Sequence, residues 1–208
     1  MTWPPMRTML IAGGIVVAVA VLALGGWAWW DAAQRRTDAA TAEVLARVQG
    51  ALLPDATAEA RLAAITELEQ VLQRYPSARS VTESAYELGN LRFAVGQYPA
   101  ARNAYELALR HNPKGLIAAM ARNGVARTFE AERDFPKAAE AYGAQLKDLD
   151  PRSFLYEDAL IDQARALELA GKKAEAIAAY QRVLKEVPTA KRSDDVRSRL
   201  ASLGTATR

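Results

Sequence analysis

The sequence predicts an all-α protein: one N-terminal transmembrane helix followed by an α-solenoid of helical hairpins. Three observations carry this. Pro76, Pro113, Pro151 and Pro188 recur at intervals of 37, 38 and 37 residues, each closing a similar apolar pattern, and self-similarity at a fixed period marks an array of stacked units. Within each pattern apolar residues recur every three or four positions, the period of a helix face. Residues 9–30, MLIAGGIVVAVAVLALGGWAWW, carry no charged side chain.

The elements follow in order. Residues 1–8 read as a short tail. As a helix, residues 9–30 would span roughly 33 Å, enough for a bilayer core. Trp27, Trp29 and Trp30 end the segment and Trp3 precedes it, and such rings favour the headgroup layer. A cleaved signal peptide has a shorter apolar core and a small-x-small exit. Ala18-Val19-Ala20 offers that exit, but the apolar run continues ten residues beyond it, so an uncleaved anchor is expected. Gly14, Ala18 and Gly25 place small residues on one face of the span, a spacing that lets helices pack in lipid. Arg7 lies on one side of the span and Arg35 and Arg36 on the other. Counting them slightly favours a cytoplasmic C-terminal side, but long domains cross regardless of charge, so the orientation stays open.

Residues 31–57 form a leading helix, expected to stop at Gly50, and a loop around Pro54-Asp55. Residues 58–204 form the solenoid. Its leading unit shows Leu62, Ile65, Leu68, Val71 and Leu72 as one apolar stripe, with Ala64 and Leu68 in register before Pro76. The clearest unit runs from Ser80 to Pro113. Its first helix carries Ala85, Leu88, Gly89 and Phe93; Gly96-Gln97 makes the turn; Ala101, Tyr105, Ala108 and Leu109 face inward from the second helix. Small residues at Gly89, Ala101 and Ala108 let the two helices approach, and Tyr105 fills the gap between units. A shift of 37 brings Val125-Ala126, Phe129, Phe135, Ala138, Tyr142 and, one residue later, Pro151 into register. A shift of 75 aligns Leu160, Ala164, Leu167, Gly171, Ala176, Tyr180 and Pro188. YPSARS, NPKGLI and LDPRSFLYED are the expected loops between hairpins. Ser193 is expected to cap a last helix whose Val196, Leu200 and Leu203 face in, with Arg197 and Arg199 facing water. Residues 205–208 read as a tail.

These residues resemble the tetratricopeptide repeat, whose pattern asks for Leu-Gly, then Ala, an aromatic, Ala and a closing Pro. Leu88-Gly89, Ala101, Tyr105, Ala108 and Pro113 match it at the right spacing. Ala85 stands where the family favours Trp, and Arg92 where it favours Tyr, with Phe93 placed to take over the packing. The resemblance implies a concave face lined by the first helix of each hairpin, where peptides bind. Carried over by position, the groove shows Glu83, Tyr86, Asn90, Phe93 and Ala94, then Met120, Asn123, Arg127, Glu130 and Ala131, then Asp158, Ile161, Arg165, Glu168 and Leu169. Asn90, Arg127 and Arg165 form a row of donors for a peptide backbone or carboxylate. The plainer reading is a solvated face, with Arg127 paired to Glu130 and Arg165 to Glu168 along one helix. Some family members clamp a terminal carboxylate with Lys and Asn. Asn90 fits, but Tyr86 holds the Lys position, so a full clamp is not expected.

Composition narrows the function classes. The chain has 27 Lys and Arg against 24 Asp and Glu, a near-balance that offers no field for gripping a nucleic acid. Zero cysteines exclude disulfides and thiolate sites. His111 is the only histidine, without His or Cys neighbours to make a metal site. No phosphate-cradling loop, serine elbow or isolated carboxylate pair is visible. No catalytic residue, cofactor or metal is therefore expected.

One span followed by such repeats resembles the bacterial ancillary SecYEG translocon subunit family, the YfgM-like proteins. That resemblance implies a single-pass inner-membrane protein with its N-terminus in the cytoplasm. Its repeats would hold polypeptide partners outside the cytoplasm, as an adaptor or chaperone-like module. The rival expectation is a self-associating scaffold of an envelope assembly.

Overall fold

The computed structural model describes residues 6–204. Trp3, most of the expected N-terminal tail and the tail 205–208 lie outside them. Among the described residues there are nine α-helices, one 3-10 turn and no strand. Helix α1 (Met6–Val48) is followed by the 3-10 turn (Gln49–Leu52), α2 (Ala58–Arg74), α3 (Val81–Ala94), α4 (Tyr98–His111), α5 (Gly115–Ala131), α6 (Phe135–Lys147), α7 (Tyr156–Leu169), α8 (Lys173–Glu186) and α9 (Ser193–Ser202). Each helix from α1 to α9 packs on the next. The array is three full hairpins, α3–α4, α5–α6 and α7–α8, closed by α2 with the C-terminal part of α1 at one end and by α9 at the other.

Helix α1 is unbroken across Trp30-Asp31, so the apolar segment and the leading helix are one rod. Its halves differ in what they touch. Ile15, Val17, Leu22, Trp27 and Trp29 are exposed, whereas Thr41, Val44 and Val48 are buried against the solenoid. The stop falls at Val48, two residues before Gly50. One helix of the described chain is thus long and apolar enough to cross a membrane, and its apolar stretch from Gly14 on is uncovered.

The buried residues form two apolar clusters that meet at α5, one from Val44 to Ala121 and one from Ala126 to Leu200. The repeating positions are core: Leu88, Gly89, Ala101, Tyr105, Ala108, Ala138, Tyr142, Ala176 and Tyr180 are all buried. Leu62 departs from the expected stripe and is 48% exposed. Helical geometry puts it about 200° around the axis from Ala64, which is buried in its stead. The prolines act as stops. Tyr75, Asn112 and Val187, each just before a proline, leave the helical region for broader backbone angles, because the proline ring disfavours helix at the residue before it. Two loops are shorter than expected, since Gly115-Leu116-Ile117 and Tyr156-Glu157-Asp158 already belong to α5 and α7. Ser193 does not cap α9. It is the first helical residue, follows Arg192 at the cap, and leaves Asp194 and Asp195 to offset the helix dipole.

The turn inside each hairpin is the same motif three times. Gly96, Arg133 and Gly171 have positive φ of 78°, 61° and 75°. In each the next residue's N–H reaches back five positions, as Gln97 to Arg92 O at 2.8 Å, Asp134 to Phe129 O at 2.9 Å and Lys172 to Leu167 O at 3.0 Å. This left-handed helix stop favours glycine. Arg133 holds it at a steric cost, so Arg133→Gly is expected to raise stability by about 0.5–1 kcal/mol. Chemical denaturation checks this; an unchanged midpoint would mean that the arginine side chain offsets the strain.

Candidate protein-binding groove

The turn motif and the small residues of the helix interfaces bring α3, α5 and α7 side by side, with α9 continuing the series. The expected groove residues therefore neighbour one another across repeats rather than along one helix. Most are held by a partner one hairpin away.

Position by position, a staircase runs down the face. The guanidinium of Arg127 on α5 lies over the Phe93 ring on α3, 4.8 Å from its centroid. Arg165 on α7 forms a two-pronged ion pair with Glu130 on α5, its Nη2 donating to Oε2 at 3.2 Å. Arg199 on α9 approaches Glu168 on α7 at 3.6 Å. Each step joins the acidic or aromatic position of one unit to the arginine of the next. The expected pairs Arg127–Glu130 and Arg165–Glu168 within a helix do not form; the crossing between repeats replaces them. Arg165 also pairs with Asp162 at 2.9 Å. Two carboxylates thus share its charge, and little of it is left for a ligand.

The interior tyrosines read the same register from below. Tyr142 and Tyr180 each donate to the glutamate of their own hairpin, Glu130 and Glu168, at 3.0 Å. In the first repeat that position is Phe93, and Tyr105 turns to Asn90 Oδ1 at 2.8 Å. The Asn90 amide in turn donates to Glu87 at 2.9 Å. Burial pushes the phenols of Tyr105 and Tyr142 well above the ordinary tyrosine range, and that of Tyr180 to about 12. They act as neutral donors. Burial, with Glu83 nearby, likewise raises the Glu87 carboxyl, against the opposing bond from Asn90.

The remaining expected groove residues divide. Ile161 is 4% exposed and packs in the core with Val196 and Leu200. It is corrected from a groove contact to a core residue, because α9 occupies the place a fourth hairpin would take. Asp158 lies near Arg192, at 3.7 Å. Glu83 and Arg127 are exposed, Asn123 half-buried and Leu169 50% exposed. Between α3 and α5, Tyr86 donates to the Met120 sulfur at 3.8 Å and tilts against Tyr105, ring centroids 5.9 Å apart. Tyr86, Phe93 and Met120 are half-buried, with the guanidinium of Arg127 beside them. Among the described residues Arg127 has no carboxylate partner. This corner joins a semi-exposed aromatic and thioether surface to a cation with free N–H groups.

Sequence reading missed two residues. Arg199 continues the arginine register 34 positions after Arg165, a spacing that was visible. Gly124, together with Gly89, sandwiches the Tyr105 ring: an added Cβ would meet ring carbons at 2.6 Å and 2.5 Å respectively.

With this geometry in place, the likenesses to known proteins are informative. The sequence profile of the tetratricopeptide repeat-like domain family matches residues 3–205. The chain belongs to that family. Among solved structures, the tetratricopeptide repeat (TPR)-like repeats assigned to a Podosopora anserina kinesin light chain are similar. They show 21% identity and a TM-score of 0.55, with 70% of this chain and 77% of that one covered. The MamA protein is similar at 19% identity and a TM-score of 0.51, covering 71% of this chain and 70% of that one. At these identities the likeness is one of fold. No curated protein is significantly similar in sequence. Members of the tetratricopeptide repeat-like family are generally non-enzymatic scaffolds, and their fold is that of a protein–protein interaction module.

Proposed function

We propose that this chain is a membrane-anchored TPR module that holds a polypeptide partner or client in the groove between α3 and α5. One observation carries the reading. Arg127 is the groove cation left without a carboxylate, and it stands on Phe93 beside Tyr86 and Met120. Aromatic and arginine side chains in a partly desolvated corner dominate the energetics of protein interfaces. The corner suits a peptide with an acidic group next to an apolar side chain. Glu83 and Asn123 flank it as further polar contacts. The anchor is the apolar part of α1, whose side chains from Gly14 on are not covered by any other part of the described chain. Tethering at a surface raises local concentration, so modest contacts suffice there. The domain boundaries at residues 9–30, 31–57 and 58–204 follow the same reading, as one rod that changes environment near Trp30.

The finer placement rests on the resemblance to YfgM-like proteins. It puts the N-terminus in the cytoplasm and the repeats outside it at the bacterial inner membrane, beside the translocon.

A photo-crosslinking amino acid at Asn123, in intact membranes, tests the groove. Crosslinked polypeptide is expected, reduced at least tenfold by Tyr86→Ala with Arg127→Ala while helicity is retained. Equal crosslinking from the double variant sinks the groove assignment. Loss of helicity would instead show that these side chains are structural.

A further inference from the structure

The membrane-proximal edge of the solenoid has the chemistry of a lipid-docking surface. Helix α1 fixes which edge this is. Arg47 on α1 contacts Glu67 midway along α2, at 3.3 Å. Asp38 on α1 accepts from the backbone N–H of Arg79, just after α2, at 3.1 Å. Helix α2 therefore runs back along α1 toward the apolar segment. The loop after α2 lies beside Asp38, eight residues beyond Trp30, or about 12 Å along the helix. That distance is close to the Debye length of roughly 8–10 Å at physiological salt. Because successive helices of the hairpins alternate in direction, the loops around Lys114, around residues 148–155 and around Lys191 lie on this same edge.

The edge carries more positive charge than its acids cancel. Arg79, Arg122, Arg152 and Arg192 are paired with carboxylates. Arg74, Lys114, Lys147 and Lys191 are exposed and, among the described residues, have no carboxylate partner, while Lys185 lies near Glu186. The opposing acids outside an ion pair are Glu157, which accepts from the Arg192 backbone, and Glu83 in the first turn of α3. On the opposite edge the charges outside ion pairs, Asp55, Glu59, Arg61, Arg133 and Lys173, are of mixed sign, and Arg61 donates to the carbonyls of Leu53 and Pro54. Cations in the last turns of α2, α6 and α8 also offset their helix dipoles. That role does not account for Lys114 or Lys191, which lie outside helices. Nor does it account for the exposure of Leu116, in the first turn of α5, and Phe154, in the loop before α7, at 53% and 75%.

We infer that this edge docks on anionic lipid headgroups of the membrane that holds α1, with Lys114 and Lys191 as electrostatic contacts and Phe154 dipping into the interface. The inference rests on the reading of α1 as a membrane span. Docking sets the array edge-on to the bilayer and leaves the groove open along its surface.

Because the chain has no cysteine, Thr189→Cys gives a single label on this edge and Gln97→Cys one on the opposite edge. Energy transfer from each to headgroup-labelled lipid is measured for the full chain in nanodiscs. One set holds phosphatidylcholine alone and the other adds phosphatidylglycerol. Transfer from position 189 is expected to rise in the anionic discs and to fall with added salt, while position 97 changes little. Lys114→Gln and Lys191→Gln should each lower the docked-to-undocked ratio about fivefold. Equal transfer in both lipids, or no response to salt and to the paired Gln variants, overturns docking while leaving the anchor intact. A chain that fails to co-purify with either disc overturns the anchor and the docking together.

Discussion

Replacing Gly124 by alanine is expected to destabilise the protein by about 1–3 kcal/mol, the usual range for overpacking a well-filled core. The added Cβ would fall 2.6 Å from the Tyr105 ring, and the ring cannot retreat because Gly89 backs its other face at 2.5 Å by the same measure. Its hydroxyl is also held by Asn90. Tyr105→Ala alone is expected to cost about 3–5 kcal/mol, as for other buried aromatics cut to alanine. The decisive measurement is the pair. With the ring gone, Gly124→Ala has room and improves the helix propensity of α5, so in that background it should stabilise by up to about 1 kcal/mol. A reversal of sign between backgrounds, read by chemical denaturation, isolates the contact from any general effect of the residue. If Gly124→Ala costs the same with and without Tyr105, the ring is not what requires glycine at 124.

That contact also marks the boundary of what the sequence could say. Gly89 was legible because it sits inside a repeated pattern whose period exposes it. Gly124 was not, because the second repeat carries Ala126 at the equivalent place and glycine two positions earlier. Both glycines serve one ring from adjacent hairpins, and only the three-dimensional stacking reveals that they are a pair. The prolines, the turn glycines and the buried tyrosines were all legible for the opposite reason. Each recurs at a fixed place in the repeat, so spacing along the chain suffices. Arg133 shows the limit of residue identity even there: the turn forms in the left-handed conformation without the glycine that would have announced it.

The face proposed as a groove was reached through the family resemblance, and its pairing was illegible. The resemblance to the tetratricopeptide repeat put Arg127, Arg165, Glu130 and Glu168 on one face, and along a helix an interval of three suggests pairing. The chain pairs across hairpins instead, because stacking places Glu130 nearer to Arg165 than helical geometry places Arg127. The consequence is functional. Glu130 and Asp162 neutralise Arg165, and Glu168 meets Arg199, which leaves Arg127 as the open cation and moves the proposed site to the α3–α5 corner. Ile161 was misplaced for a related reason. A helix that is not part of a full repeat, α9, covers the last unit, and no periodicity announces where an array stops.

Placing arginine at both Val19 and Leu22 is expected to release the chain from membranes. Both side chains are exposed along the apolar part of α1, Val19 at 59% and Leu22 at 75%. A central arginine costs about 2.5–3.5 kcal/mol for insertion, so the pair should cost on the order of 6 kcal/mol, enough to outweigh a single span. The core of the solenoid lies beyond Thr41 on the same helix and is not touched by either change, so helicity and thermal unfolding of the soluble fraction should stay near the parent's. Flotation with liposomes after cell-free synthesis reads the partition. Mass measurement of the cellular protein reads whether the N-terminal residues persist. Retention of the double arginine variant in the lipid fraction would sink the anchor, since the apolar run would then not be what holds the chain. A mature mass starting after Ala20 would sink it differently, by showing that the rod is cut inside its apolar half. The anchor reading predicts neither, because α1 runs without a break from Met6 through that position into the buried residues Val44 and Val48.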